Sequence, residues 1–162
     1  MPGLARAEAI EARLTGYEEV PSVSTPAGGR FRGQISKDEQ FIDYELRYEG
    51  LQNTITQAHI HFAQKGVNGS IVIWLCGTTS NPGPAGTQTC PSSPGTITGT
   101  ITAANVIASS QLNQLILDRE LAEVIAAMRA GVAYVNVHST PNTTGGEIRG
   151  QIRASRRNQD KD

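Results

Sequence analysis

Short stretches of alternating polar and apolar residues, separated by glycine and proline, run through this sequence and point to strands rather than helices. The alternation is clearest in Ala58-His59-Ile60-His61-Phe62 and in Ala133-Tyr134-Val135-Asn136-Val137-His138. Side chains on a strand point to opposite faces with period two. His59 and His61 therefore share a face, with Ala58, Ile60 and Phe62 behind them. By the same count Tyr134, Asn136 and His138 share a face, backed by Ala133, Val135 and Val137. The two stretches hold all 3 histidines of the chain. If their polar faces meet, three imidazoles converge, and the central expectation is a transition-metal site made by His59, His61 and His138. Imidazole suits zinc, copper and iron, and a His-X-His pair on one strand supplies two stiffly held ligands. The competing readings are solvated histidines on a polar surface or a buried hydrogen-bonded network.

The remaining pattern predicts a single domain of mainly β structure, and 162 residues are enough to bury a core. Seventeen glycines and 8 prolines suit short strands and tight turns. A first strand is expected over Glu11–Thr15, with Ala12 and Leu14 inward. Arg30–Ser36 and Phe41–Glu49 read as a hairpin turning near Asp38-Glu39. That register sets Ile35 against Ile42, Gly33 against Tyr44, Phe31 against Leu46 and Arg32 against Glu45, pairing apolar with apolar and opposite charges with each other. Ile71–Leu75 is apolar on both faces and is expected in the middle of a sheet. Gly95–Thr102 reads as a one-sided strand.

One helix stands out, with Asp118 as its expected N-cap. Leu121, Val124, Ile125 and Met128 form its apolar stripe, and Gly131 closes it. A weaker helical turn is expected within Ser109–Leu115. Ala133–Ser139 and Glu147–Arg153 would form a last hairpin turning near Asn142-Thr143. The tetrapeptide Arg32-Gly33-Gln34-Ile35 recurs as Arg149-Gly150-Gln151-Ile152, which suggests two strands in matching environments. The expected architecture is an antiparallel, Greek-key-like β-sandwich or flattened barrel with one crossover helix. It would occupy residues 11–153, between a flexible arm (1–10) and a charged tail (154–162).

Composition narrows the function classes. The net charge is −1 and charged residues make up 18% of the chain, so nothing marks a nucleic-acid binder. No apolar run reaches the roughly 20 residues that span a bilayer. Cys76 and Cys90 bracket a segment rich in Gly, Pro and Thr, and their spacing fits none of the usual close zinc-ligand pairs, so a disulfide is expected. Two unrelated thiols or a thiolate metal pair are the alternatives. A disulfide implies an oxidising compartment, hence a secreted, periplasmic or extracellular setting. Met1–Arg6 lacks the apolar core of a signal peptide.

The final hairpin adds detail to the expected site. Its register places His138 opposite Glu147, Asn136 opposite Arg149 and Tyr134 opposite Gln151, all on one face. Glu147 is expected to accept an N–H from a ligating histidine. Arg149 is expected to bring a fixed positive charge that attracts a small anion. An ordinary cross-strand surface pair is the plain alternative. Tyr134 is read as an outer donor, an axial ligand or a packed ring.

Several stretches together resemble the CHRD domain family. They are Leu14-Thr15-Gly16-Tyr17-Glu18-Glu19-Val20-Pro21, Ala58-His59-Ile60-His61, Gly66-Val67-Asn68-Gly69, Gly131–His138 and Gly146–Ile152, in order over residues 12–153. The resemblance implies an extracellular or periplasmic setting and leaves activity open. A looser resemblance is to copper,zinc superoxide dismutase, a Greek-key barrel with an HxH copper strand, a disulfide and an arginine near the metal. His59 and His61 are similar to its paired copper ligands and Arg149 to its guiding arginine. No histidine is left for a bridging ligand or a zinc subsite. What this resemblance implies is a mononuclear copper centre that disproportionates superoxide, with zinc as the alternative metal. The contrasting expectation is a non-catalytic module that binds a protein or matrix ligand through structural histidines. A homo-oligomer is compatible with either.

Overall fold

A computed structural model describes residues 7–141 and 145–155, and these form a mainly β, antiparallel sheet nearly closed into a barrel. The strands are β1 (Glu8–Thr15), β2 (Gly28–Ile35), β3 (Phe41–Glu49), β4 (Ile55–Phe62), β5 (Ser70–Cys76), β6 (Gly95–Thr102), β7 (Ala133–Ser139), β8 (Ile148–Gln151) and β9 (Arg153–Ala154). Their spatial order is β5-β4-β7-β8-β1-β2-β3-β6, with β9 also on β1. The expected hairpin register is observed: Ile35 faces Ile42, Gly33 Tyr44, Phe31 Leu46 and Arg32 Glu45. Glu39 takes φ 58 in the turn between these strands. Inward residues of the strands, among them Leu14, Phe31, Leu46, Ile60, Val135 and Ile148, are at most 1% exposed and build one core.

Four expectations about the strands need correction. The first strand begins at Glu8 rather than Glu11, so part of the expected flexible arm pairs with β2, Glu8 lying opposite Ile35. The expected strand over Glu147–Arg153 is split at Ile152, because β1 pairs with β8 at Thr15–Arg149 and with β9 at Ile10–Ala154. β5 is not in the middle of the sheet but at one end of the strand order. It is held by more than β4: Ile107 N–H, from outside the sheet, donates to Val72 O, and Tyr44 Oη of β3 donates to Leu75 O across the seam. The repeated tetrapeptide flanks β1 from both sides, yet Arg32 is exposed and Arg149 buried, so the environments do not match.

The helix α1 (Leu121–Arg129) buries Leu121, Val124, Ile125 and Met128 as the periodicity requires. Its N-cap position is Glu120, not Asp118, whose Oδ1 instead accepts the Ala108 N–H at 2.8 Å. Gly131 (φ +74) closes it in a Schellman arrangement, with Gly131 N–H on Met128 O and Val132 N–H on Ala127 O. The weaker turn is a short 3-10 helix over Leu112–Gln114. The expected turn at Asn142-Thr143 and most of the expected charged tail lie outside the described residues. No helix among the described residues is long and apolar enough to cross a membrane.

Cys76 and Cys90 form the expected disulfide, with Cα atoms 5.0 Å apart. It ties the end of β5 to the loop beside the open seam, where Gln88 donates to Tyr44 Oη and Thr98 O. Loop-closure entropy over this separation of 14 residues is worth about 3 kcal/mol. The double variant Cys76→Ser/Cys90→Ser is therefore expected to lose about 3 kcal/mol in urea unfolding, and an unchanged midpoint would show that the bridge does not constrain the unfolded chain.

Candidate metal centre

The pairing of β4 with β7 assembles the site. His59 lies opposite Asn136, His61 opposite Tyr134 and Gln57 opposite His138 in one continuous register, which shifts only beyond them, between Gln57 and Ile55. Residues of opposite parity on both strands, Ala58, Ile60, Val135 and Val137, belong to the core. The histidine face is thus the outer face of the barrel. β8 extends it, with Arg149 opposite Asn136 and Gln151 opposite Tyr134. On the other side Trp74 of β5 lies opposite His59, between two register shifts in the β4–β5 ladder.

Each histidine offers one ligand atom, and these atoms all lie within 4.8 Å of one another. The rings pack edge to face, His59 to His61 at 5.3 Å and His59 to His138 at 5.0 Å between centroids. Although the face points outward it is covered: exposures are 1% for His59, 7% for His61 and 4% for His138. Burial, reinforced by the neighbouring imidazoles, lowers the His59 pKa to about 2. Burial also lowers that of His61 to about 4, against the opposing pull of its Gly69 contact. Both rings are therefore neutral near pH 7, the protonation state a metal ligand needs.

Hydrogen bonds select the free ring nitrogens. His59 Nε2 is 3.1 Å from Gln57 Oε1, while its buried Nδ1 has no hydrogen-bond partner among the described residues. His61 Nδ1 is 3.0 Å from Gly69 O, and its Nε2 is 2.9 Å from Asn136 Oδ1. A neutral imidazole carries one N–H. With that proton on Nδ1 towards Gly69, the Nε2 lone pair faces Asn136 Oδ1, so Nε2 serves as a ligand only when the Asn136 amide turns aside. An orphaned buried nitrogen beside a second lone pair is a donor set that fits a transition-metal ion.

The cover comes from two segments. In the first, over residues 64–69, Gly69 O meets His61 and Gly69 N–H donates to Tyr134 Oη at 3.2 Å. Gly69 is required there, since a Cβ would lie 1.9 Å from Phe62 O. Arg149 holds the same segment by donating to Asn68 Oδ1, Gln64 O and Val67 O at 2.8–3.3 Å. Its guanidinium lies 3.4 Å from the centroid of Tyr134, which stacks on His61 at 4.6 Å with planes 3° apart. Guanidinium, phenol and imidazole form one column. The second segment contains Glu19 and Val20, and Asn68 Nδ2 donates to Val20 O.

The expected site residues thus separate. His59, His61 and His138 converge, and Tyr134 is a packed ring against His61. Arg149 is on the expected face, but at 1% exposure its donors are committed to the covering loop rather than turned to solvent. Glu147 departs from its expected role. β7–β8 pairing ends at Val137–Ile148. The Glu147 carboxylate accepts from Thr25 Oγ1 at 2.7 Å, from Gln52 N–H at 3.0 Å and from Ser139 Oγ. It ties three chain segments together instead of reaching a histidine.

Sequence reasoning did not single out Glu19. Glu19 is 3% exposed, and its carboxyl oxygens have no hydrogen-bond partner among the described residues, although the Asn136 amide and the Val20 N–H lie near it. Burial raises its pKa to about 8, with Arg149 partly offsetting the rise. Its closeness to Asn136 depends on Gly146, where a Cβ would lie 2.4 Å from Glu19 Oε1 and 2.8 Å from Asn136 Nδ2. The only hint in the sequence was the Glu18-Glu19-Val20-Pro21 motif itself.

These shifts oppose one another in pH. His59 and His61, lowered to about 2 and about 4, bind fewer protons folded than unfolded. Their contribution is complete above an unfolded value of about 6.5 and is lost as pH falls below it. Glu19, raised to about 8, binds more protons folded than unfolded. Its contribution is complete below about 4.5 and is lost as pH rises towards its folded value. Metal-free protein is expected to be most stable near pH 6.5. Glu19→Gln should flatten the limb between pH 6.5 and 8, and denaturant unfolding across that range checks it.

The CHRD domain family model matches residues 10–152. Comparison with curated proteins and with solved structures returned no match.

Proposed function

The chain belongs to that family, and on this footing we propose that it is an extracytoplasmic protein holding one transition-metal ion through His59, His61 and His138. The observation that carries the reading is the convergence of three buried imidazoles, with ligand atoms within 4.8 Å of one another. Copper is the first choice, since imidazole ligation suits it and it stands at the top of the divalent affinity series; zinc is the alternative. The disulfide supports an oxidising setting.

Copper at such a site supplies one-electron redox chemistry, and the activity we assign to it is superoxide disproportionation. The residues around the cluster do the positioning. Gln57 and Gly69 each hold one ring nitrogen, Nε2 of His59 and Nδ1 of His61. Tyr134 and Trp74 hold the rings from either side, and the segment anchored by Arg149 keeps bulk water out. Zinc hydrolysis with Glu147 as base is disfavoured because that carboxylate is already engaged. The burial of all three histidines favours one second reading, a metal-holding module that binds a protein or matrix ligand without turnover.

The chain's single tryptophan makes the test direct, because the Trp74 and His59 ring centroids are 4.4 Å apart. Protein without a His tag should bind one equivalent of Cu(II) with quenching of Trp74 fluorescence and nitrogen hyperfine coupling in the EPR spectrum. His61→Ala should remove both effects. Quenching and hyperfine structure that survive His61→Ala would refute the three-histidine site. Copper-loaded protein should also accelerate superoxide decay; decay at the buffer rate would leave the module without turnover.

A further inference from the structure

A second feature lies on the outer face of the other half of the barrel. Arg13 of β1 is directly opposite Arg30 of β2, and Arg30 is directly opposite Arg47 of β3. Thr96 of β6 continues the row opposite Arg47. All four residues are exposed. With strands about 4.8 Å apart, the row is about 14 Å long and contains no carboxylate. Like charges directly opposite on neighbouring strands are destabilising, so the row has no stabilising role in the isolated fold. The next row, Glu11–Arg32–Glu45, alternates in sign as an ordinary solvated sheet does.

Partners within the chain neutralise the row only weakly. Arg30 pairs with Glu11 at 3.1 Å and Arg47 with Glu45 at 2.7 Å. Both arginines remain more than half exposed, and such solvated pairs exchange readily with another anion. Arg13 makes no ion pair among the described residues. Two grooves flank the row: one of about 710 Å³ lined also by Arg153, Glu11 and the Lys65–Glu18 ion pair, and one of about 820 Å³ lined in part by Tyr17 and Glu49. Tyr17 is 75% exposed.

We infer that the Arg13–Arg30–Arg47 row, with Thr96 at its end and Tyr17 beside it, binds a linear anionic polysaccharide. Guanidinium groups take sulfate or carboxylate in paired hydrogen bonds, and an exposed aromatic face suits the apolar side of a sugar ring. The flanking acids set the width of the partner. Glu11 and Glu45 on one side and Glu49 on the other repel a flat anionic bilayer or a broad duplex, whereas a thin chain follows the row between them. This inference does not depend on the metal site.

Dextran sulfate, with uncharged dextran as control, tests it by titration calorimetry on the wild-type protein. Binding of dextran sulfate alone is expected, weakening steeply with added salt. Arg13→Gln/Arg47→Gln should weaken it on the order of tenfold or more. The charge-matched Lys37→Gln/Arg119→Gln, elsewhere on the surface, should leave it within twofold or so. Arg13→Gln/Arg47→Gln should also melt no lower than wild type, since it relieves repulsion, which separates lost binding from lost fold. Absence of binding, or equal weakening by both double variants, would overturn the assignment. Equally tight, row-dependent binding of phosphatidylserine vesicles or a single-stranded oligonucleotide would overturn the polysaccharide.

Discussion

The antiparallel pairing of β4 with β7 is the constraint on which the rest of the site depends. It fixes in one ladder which residues enter the barrel and which line the histidine cluster. Ile60 and Val135 oppose each other within the core, while His59 and Asn136, then His61 and Tyr134, oppose each other outside it. A slip of one residue would exchange these faces, placing imidazoles in the core and isoleucine on the site. The same ladder therefore sets both the packing of the core and the convergence of the histidines. The same unbroken register sets His138 against Gln57, and the ladder shifts only beyond that pair, at Thr56, where Ile55 meets Ser139.

Much of this was legible because period-two alternation is a direct statement about faces. The histidine cluster, the β2–β3 register and the span of β6 follow from it, and the apolar stripe of α1 follows from the helical period. Failures arose where contacts are made by groups with no sequence identity. Arg149 is held by the carbonyls of Gln64 and Val67, and His61 by that of Gly69. Every residue has a carbonyl, so no pattern predicts those partners. Apolar residues on both faces do not require a strand on each side: β5 ends the strand order, and its Val72 O is taken by Ile107 N–H from outside the sheet. Asp118 reads as a cap because Asp is a common cap. Its carboxylate is used ten residues back, on Ala108.

The identical tetrapeptides make the same point from a single comparison. Arg32 and Arg149 each precede Gly-Gln-Ile and each lies on a strand beside β1. One is solvated on the open half of the barrel, and the other is buried beneath the covering loop. Strand sequence sets the direction of a side chain; only the loops decide whether that direction ends in water. Glu19 belongs to this class of problem. Its burial arises where the covering segment that carries it meets Gly146 and Asn136, a junction that neither side encodes alone.

Because the histidines sit outside the barrel wall, their shelter is separable from the core. Arg149, Asn68 and Gly69 secure the lid through a handful of polar contacts, whereas the wall is secured by the packed interior. Local opening of such a segment costs less than global unfolding. An ion held there would therefore be exchanged at a rate set by the lid, leaving the barrel intact through each exchange. Divergence in the two covering segments would alter retention and access while leaving the ligand-bearing strands unchanged. The centre behaves as a compartment attached to a rigid frame, with its own clock.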